Sequence, residues 1–226
     1  MSRVAILDRI RAALHADPAD LQRRSAVAAR LAEPPHHLVP AATRRAACEL
    51  ADMFEKPLRA RRADLVAVAA PTDIPAALAD YLRAQNLPLR VRAGADPYLA
   101  RLPWNGVPGL ILETGPAEAS DNAGLSRALA GVAETGTLVL ASGPDNPVTL
   151  AFVPDTHLVV VEAQTIVGSY EDAVERLAAE IGHGVLPRTL NLISGPSRTA
   201  DIGGKIVLGA LGPCRLAVLL VGARPR

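Results

Sequence analysis

The stretch DLVAVA, residues 64–69, is a short apolar run rich in β-branched residues, and it decides the fold class. Such a run between turn residues is typical of a buried strand. A helix is expected before it, from Thr43 to about Glu55, and another after it, at 74–85. A second extended run then lies at 89–91. Strand, helix and strand in this order predict a crossover unit with a parallel pair of strands.

The rest of the chain continues the pattern of short apolar strands with helices between them. An amphipathic helix is predicted from Tyr170 to Ile181. Strands are predicted on both sides of Glu134-Thr135-Gly136, and so short a connection with a glycine favours an antiparallel hairpin. We therefore predict an α/β fold with a mixed, mostly parallel sheet flanked by helices. The further predicted strands are 109–113, 128–133, 137–141, 157–161, 190–193, 205–208 and 216–221.

The first part of the chain looks separate from this sheet. Ser2 is a suitable N-cap for a helix to about residue 15, and a second helical stretch at 20–31 ends before Pro34-Pro35. We predict a small helical N-terminal appendage, 1–40, and a main α/β domain, 41–226. The first helix carries an apolar stripe that either covers the main domain, the simpler expectation, or packs against a partner subunit. The stripe consists of Val4, Leu7, Ile10 and Leu14.

Composition argues against several classes of function. The 24 basic residues are nearly all arginine and are balanced by 23 acidic residues, which leaves a net charge of +1. This balance gives no support to nucleic-acid binding. The cluster Arg59, Arg61 and Arg62 lacks interleaved aromatic residues and is expected to be a solvated surface between a helix and a strand.

The cysteines and histidines do not predict a metal or a cofactor in this chain. Cys48 and Cys214 lack the CxxC spacing of zinc and iron-sulfur sites. His157 and the other histidines are expected to be structural or surface residues, with no metal site. No apolar run is long enough to span a membrane, and Asp8 and its neighbouring arginines interrupt any signal-peptide core, so we expect a cytoplasmic protein.

The segment SGPSRTADI, residues 194–202, is unusually polar for a connection after a buried strand. Gly195 allows a close approach of the backbone, Ser197 and Thr199 offer hydroxyls, and Arg198 offers a fork of donors to a carboxylate or phosphate. A tight turn in which Asp201 accepts backbone hydrogen bonds and pairs with Arg198 explains the composition equally well. The residues alone leave the two interpretations balanced.

Glu134, at the predicted hairpin tip, is the second candidate for chemistry. A carboxylate there can act as a nucleophile, a general base or a ligand contact if the tip lies in a cleft. In most hairpins such a residue is a solvated turn residue, and the pattern by itself favours that interpretation.

The two polar segments together resemble the LUD domain family of the lactate utilization protein C type. The resemblance is carried by residues 134–140, by 193–202 and by the turn 209–213, in the family's order and spacing over residues 40–222. Residues 9–14 are also similar to the family's start. The resemblance implies a fold like that of sugar-phosphate isomerases and CoA transferases. It also implies a role in the oxidation of L-lactate to pyruvate, with iron-sulfur clusters held by partner proteins.

The resemblance also implies a set of site residues. Glu134 would be the catalytic acid, base or nucleophile, and Arg198 would clamp a small anionic ligand. The chain departs from the family at Gly203, Leu211 and Ala217, where relatives carry acidic or histidine residues, so a subunit kept mainly for binding stays open. The implied ligand-binding residues are Thr135, Gly136, Thr137, Gly195, Ser197, Arg198, Thr199 and Asp201.

Three functions are therefore weighed. The first is a component of a bacterial L-lactate utilization system with iron-sulfur partner subunits, and homo-oligomer formation is open. The second is a free-standing enzyme of the CoA-transferase or sugar-phosphate isomerase type, because the Glu134-Thr135-Gly136 turn is similar to a CoA-transferase nucleophile turn. The third is a non-catalytic scaffold or regulator.

Overall fold

The computed structural model describes residues 2–15, 17, 19–33, 38–182, 184–202 and 205–222. By its internal contacts the chain divides into two units, Met1–Leu38 and Val39–Arg226. The assignment of these units as separate domains stays a prediction of the sequence. Gly203, one of the three positions at which the chain departs from the family, lies outside the described residues.

The first unit consists of two helices, α1 (Arg3–Ala13) and α2 (Leu21–Ala32). Helix α1 begins after the predicted N-cap Ser2, which accepts a hydrogen bond from the amide of Ala5. Asp20, predicted as the first residue of the second helix, is instead its N-cap and accepts a hydrogen bond from the amide of Arg23. Neither helix buries a side chain. What the apolar stripe of α1 packs against stays a prediction.

The second unit contains four helices and twelve strands in its described residues. The helices are α3 (Ala47–Ala60), α4 (Ile74–Ala84), α5 (Pro97–Ala100) and α6 (Tyr170–Ile181). The strands are β1 (Asp64–Val68), β2 (Arg90–Ala93), β3 (Ile111–Thr114), β4 (Ala123–Arg127), β5 (Ala130–Val132), β6 (Thr137–Ala141), β7 (Thr156–Glu162), β8 (Ile166–Val167), β9 (Leu190–Ile193), β10 (Arg198–Ile202), β11 (Lys205–Leu208) and β12 (Arg215–Val221).

Six strands form a wholly parallel sheet in the order β1-β12-β7-β4-β2-β3. The strands β1 and β2 share this sheet and run the same way, but the expected direct pairing between them is wrong. Three strands lie between them, because β1 pairs with β12 and β2 pairs with β4. A crossover helix fixes the direction of two strands, whereas later parts of the chain decide which strands are neighbours.

The predicted hairpin is confirmed: β5 and β6 pair antiparallel. It belongs to a second sheet in the order β8-β5-β6-β9, in which β8 is parallel to β5 and β9 is antiparallel to β6. The mixed character that the sequence predicted thus arises from this smaller sheet. The mostly parallel α/β fold with flanking helices is confirmed.

Both faces of the six-stranded sheet are buried. On β7, Leu158 and Val160 join the apolar cluster under α4, while Val159 and Val161 join the cluster under α3, which contains Phe54. A third cluster packs α6 against the smaller sheet. Burial on both faces explains why β7 is apolar at four consecutive positions, 158–161, rather than at alternate ones.

Two elements differ from the prediction for physical reasons. Helix α3 begins at Ala47 rather than Thr43, because residues 41–43 form a separate 3-10 turn in which Thr43 Oγ1 donates to the carbonyl of Pro40. Strand β4 was missed, because its glycine and serine are poor strand formers. Gly124 is needed there, since a Cβ at this position would lie 2.5 Å from the carbonyl oxygen of Leu150.

The polar segment 194–202 is half turn and half strand. Residues 194–197 are irregular, but the segment from Arg198 onward forms β10, which pairs antiparallel with β11 in a two-stranded ribbon. Among the described residues, none of the helices has both the length and the apolar composition that a membrane span requires.

Candidate functional site

The hairpin tip and the polar segment, far apart in sequence, meet in the structure. Pairing of β6 with β9 sets Leu138 opposite Ile193, so Thr137 and Ser194 come side by side. Their hydroxyl oxygens are 2.7 Å apart, which is a hydrogen bond. The two motifs that carried the family resemblance are therefore parts of one site.

Thr137 is the centre of a network of four hydroxyls. Its Oγ1 lies 2.7 Å from Thr135 Oγ1 and 2.9 Å from the hydroxyl oxygen of Tyr170. The hydroxyl oxygens of Thr135 and Tyr170 are 3.1 Å apart. Thr137 is fully buried. Each member is a donor as well as an acceptor, so the network can satisfy itself and hold Ser194 in place. Tyr170, the first residue of α6, was not among the predicted site residues.

Arg61 supports the hairpin tip from outside the two motifs. Its guanidinium donates to the carbonyl of Thr135 at 2.7 Å, and its Cβ would lie 3.1 Å from a Cβ placed on Gly195. The sequence suggested only a solvated surface for Arg61. Its neighbour Arg59 fits that description, since it is exposed and pairs with Glu55.

Gly136 is required by the shape of the tip. Its φ of +61° is the left-handed region that favours glycine, and an added Cβ would come within 3.0 Å of backbone atoms of α3, on Phe54 and Leu58. The predicted role of Gly136 as a ligand contact stays a prediction.

A cavity of about 210 Å³ lies beside this network and is called the amino-edge cavity. Ser194 and Ser197 line one side of it, and Gly212 lines another. His157 and Leu216 also line it, and each is the second residue of its strand in the parallel sheet. The cavity therefore lies at the edge where the parallel strands begin.

Backbone hydrogen bonds tie the segment 194–197 to the turn 209–213. The amide of Ser197 donates to the carbonyl of Pro213 at 2.8 Å, and the amide of Gly209 donates to the carbonyl of Ser197 at 3.0 Å. Ser197 Oγ also accepts a long hydrogen bond of 3.4 Å from the amide of Leu211. These bonds fix the wall of the cavity without using any charged side chain.

His157 is a buried imidazole in the lining of the amino-edge cavity. It is 1% exposed, and its Nε2 lies 3.0 Å from Ser126 Oγ. Its Nδ1 is buried and has no hydrogen-bond partner among the described residues. Burial lowers the pKa of His157 to about 3, so the ring is neutral at physiological pH. The sequence assigned it no chemistry, and its isolation in the chain gave no signal.

The structure does not bring every predicted site residue to the cavity. Gly195 and Ser197 line it. Arg198 is exposed on β10 opposite Leu208, and Thr199 follows it in the same strand. The side chain of Asp201 lies outside the described residues, so its suggested pairing with Arg198 stays a prediction.

Glu134 is half-buried at the hairpin tip, where its amide donates to the carbonyl of Gly168 at 3.2 Å. It is not part of the lining of the amino-edge cavity, whose described members carry no charged side chain. The catalytic role of Glu134 and the clamp role of Arg198 stay predictions.

Comparison with known proteins finds a family match for part of the chain. Residues 116–221 match the model of the LUD domain. The chain is therefore similar to the LUD domain family over slightly less than half of its length. The matched range includes the hairpin tip, the polar segment and every residue of the amino-edge cavity, but not Arg61.

The relatives of this chain include lactate utilization protein C of Bacillus subtilis, 35% identical over 104 residues, which are 46% of this chain and 43% of the relative. An uncharacterized protein of Neisseria meningitidis serogroup B is 39% identical over 100 residues, 44% of this chain and 42% of that protein. The match thus spans less than half the length of these relatives. The resemblance to the lactate utilization protein C type is confirmed.

A solved structure supports the fold over a longer range. The crystal structure of a DUF162 family protein from Deinococcus radiodurans is similar to this chain with a TM-score of 0.59 and 25% identity. The similarity covers 79% of this chain and 99% of that protein.

Proposed function

We propose that this chain is a component of a bacterial lactate utilization system and that it binds a small anionic ligand at the amino-edge cavity. The supporting observation is the contact between Thr137 and Ser194, which joins the two family motifs at one cavity. The relatives named lactate utilization protein C supply the metabolic context.

The lining of the cavity suits a small hydroxy or keto acid better than a large or highly charged ligand. Its polar side chains are the neutral groups Ser194, Ser197 and His157, and the rest is largely apolar. A three-carbon acid has one methyl group for the apolar surface and one hydroxyl or carbonyl for a neutral hydrogen bond. Arg198, exposed next to Ser197, would meet the carboxylate from the mouth of the cavity.

The finer proposal is that the system oxidises L-lactate to pyruvate. This reaction removes two electrons and two protons, which a protein of this composition must pass to an acceptor. We assign the acceptors to iron-sulfur partner proteins, because the two cysteines of this chain lack the spacing of a cluster site. This chain would then bind substrate or product rather than carry the electrons.

A genetic experiment tests the proposal in the organism that encodes the chain. Deletion of the gene is expected to abolish growth on L-lactate but not on glucose, and the wild-type gene is expected to restore it. Arg198→Ala is expected to restore growth poorly, while the matched control Lys205→Ala, also exposed in the same ribbon, restores it fully. Normal growth of the deletion strain on L-lactate would contradict the proposal.

A binding experiment separates the ligand from the pathway. Calorimetric titration of the full chain with L-lactate and with pyruvate is expected to show saturable binding that Ser197→Val weakens at least about tenfold, a loss of about 1.4 kcal/mol. If L-lactate or pyruvate binds saturably but the deletion strain grows normally on L-lactate, the ligand site is retained and the role in lactate utilization is rejected. The CoA-transferase alternative would gain support only from a glutamyl thioester trapped on Glu134 with an acyl-CoA.

A further inference from the structure

A second cavity, of about 310 Å³, lies at the opposite edge of the six-stranded sheet and is called the carboxyl-edge cavity. Arg127, the last residue of β4, lines it, as does Asp96, which follows the end of β2. In open parallel α/β sheets, ligands bind outside the carboxyl ends of the strands. None of the predicted site residues lies in this cavity.

Arg127 is held in one orientation by its surroundings. Its Nε donates to Asp96 Oδ2 at 2.9 Å, and its guanidinium lies 5.2 Å from the centre of the Tyr98 ring. Asp96 is fixed in turn, because its Oδ1 accepts hydrogen bonds from the amides of Tyr98 and Leu99. The arginine is therefore preorganised, and a ligand would lose little side-chain entropy in binding to it.

The Nε of Arg127 is used, but its two terminal amino groups make no hydrogen bond to any described residue. The Arg127 side chain is 27% exposed and lines the cavity, so it is partly enclosed. A guanidinium offers five donors in a planar fork, and its terminal pair matches the two oxygens of a carboxylate. The unused half of Arg127 therefore has the donors that a carboxylate needs.

Negative charge lies elsewhere in the same lining. Asp145 and Glu180 both line the cavity with exposed side chains. They are opposite in charge to Arg127 and would repel a simple anion, whereas an ammonium group would be attracted to them. With Arg127 and its partner Asp96, the lining therefore presents one cation and three carboxylates, and a zwitterion brings a charge of each sign to it.

An apolar wall completes the cavity. Leu129 and Ile181 line it, together with Val185 and Leu186, which are 55% and 80% exposed. Exposed apolar side chains next to a charged pocket can bury the hydrocarbon part of a ligand.

We propose that the carboxyl-edge cavity binds a free α-amino acid with an apolar side chain. The carboxylate binds the terminal amino groups of Arg127, the ammonium binds the carboxylates of Asp145 and Glu180, and the side chain packs on the wall that contains Leu186. The cavity shares no lining residue with the amino-edge cavity, so this inference does not rest on the proposed function.

Equilibrium titration of the full chain tests the ligand class. The probes are L-leucine, L-valine and L-methionine, each compared with its N-acetyl derivative, which lacks the ammonium, and its amide, which lacks the carboxylate. At least one free amino acid is expected to bind saturably, and both of its derivatives are expected to bind at least about tenfold more weakly. No saturable binding of any of the three up to about 10 mM, or equal binding of the N-acetyl derivative, would overturn the proposal.

Variants locate the binding in the carboxyl-edge cavity. Asp145→Asn with Glu180→Gln is expected to weaken binding of the free amino acid at least about tenfold, but to leave binding of its N-acetyl derivative unchanged or stronger. The matched control, Asp80→Asn with Glu118→Gln, removes two exposed charges elsewhere and is expected to change neither. Equal effects of the two double variants would reject this location.

Arg127→Lys keeps the positive charge but removes the pair of terminal amino groups. It is expected to weaken binding of the free amino acid more than binding of its amide, which lacks the carboxylate. Thermal unfolding of each variant checks that the fold is retained. Titration of L-lactate on the same samples is expected to be unchanged by all of these substitutions. If the wild-type chain binds L-lactate but no amino acid, only the amino-acid proposal fails. If it binds an amino acid but not L-lactate, only the proposed L-lactate site fails.

Discussion

The two cavities of the six-stranded sheet differ in how their polar groups are satisfied. At the amino edge, the hydroxyls of Thr137 and Ser194 bond to each other, and the cavity wall is fixed by backbone hydrogen bonds. At the carboxyl edge, Arg127 uses the Nε of its guanidinium on Asp96, and two further carboxylates, Asp145 and Glu180, line the same cavity. The first cavity has a neutral, internally bonded lining, whereas the lining of the second contains charged side chains.

This difference indicates how each cavity would discriminate between ligands. A neutral lining discriminates by shape and by single hydrogen bonds, and the wrong ligand leaves a buried group such as His157 unpaired. A charged lining discriminates by the number and sign of the ligand's charges, and it is sensitive to salt. We expect the two walls to be held by different forces as well.

The largest effect on the free energy of unfolding is expected from adding one methyl group next to a residue of each cavity. In Gly94→Ala, the new Cβ would lie 2.0 Å from the carbonyl oxygen of Asp145, so the loop bearing Asp145 must move. We expect a loss of about 3 kcal/mol in the free energy of unfolding, measured in urea. Gly195→Ala meets only Arg61 Cβ at 3.1 Å and is expected to lose about 1 kcal/mol. Equal losses would show that the two walls are equally rigid.

A smaller effect on the free energy of unfolding is expected from removing the positive charge of Arg127. Arg127→Met leaves Asp96, whose side chain is 8% exposed, without its cationic partner, and we expect a loss of about 2 kcal/mol. Arg90→Met is the control, because Arg90 is 58% exposed and its pair with Glu113 lies at the surface. It is expected to change the free energy of unfolding by about 0.5 kcal/mol or less. Similar losses would contradict the view that Arg127 is a structural anchor.

The hydroxyl network around Thr137 is expected to contribute slightly less to the free energy of unfolding than the Arg127–Asp96 ion pair does. Thr137→Val keeps the shape of a fully buried side chain but deprives Ser194 and Tyr170 of a hydrogen-bond partner. We expect a loss of about 1.5 kcal/mol in chemical denaturation. The same substitution at Thr199, a half-buried position on β10, is expected to be nearly neutral. A neutral Thr137→Val would show that the network contributes nothing to stability.

The sequence predicted the parts of this molecule that depend on local patterns. The hairpin around Glu134-Thr135-Gly136 followed from a short connection with a glycine, and α6 followed from its apolar spacing. Strand β4 and the neighbours of β1 were not predictable in this way, because they depend on contacts with distant residues. Gly124, for example, is explained only by the nearby carbonyl of Leu150.

The site was predicted to the extent that it lies in contiguous motifs. Gly195 and Ser197 were singled out and line a cavity, but the motifs gave no sign that Arg61, Tyr170 and His157 would join them. Each of these three lies outside both motifs in the sequence and is brought to the site by a different element. The carboxyl-edge cavity was missed for the same reason, because Arg127 is held in place by its hydrogen bond to Asp96, a contact that the sequence does not reveal.

The last prediction concerns pH and distinguishes the neutral edge from the charged one. The pKa of His157 in the folded chain, about 3, lies below its ordinary value of 6.5. Between these values the unfolded chain binds a proton that the folded chain does not, so the free energy of unfolding falls as the pH decreases from about 6.5 towards 3. The slope due to His157 is expected to be about 1 kcal/mol per pH unit.

His157→Gln isolates this contribution, because its side-chain amide can keep the hydrogen bond to Ser126 but does not titrate. The measurement compares urea unfolding of the wild type and the variant between about pH 5 and pH 6.5, where most carboxylates stay ionised in both states. The wild type is expected to lose stability more steeply, whereas Arg127→Met, at the other edge, keeps the wild-type slope. Parallel pH profiles of wild type and His157→Gln would mean that the imidazole is protonated in the folded chain, and the amino-edge cavity would then carry a charge.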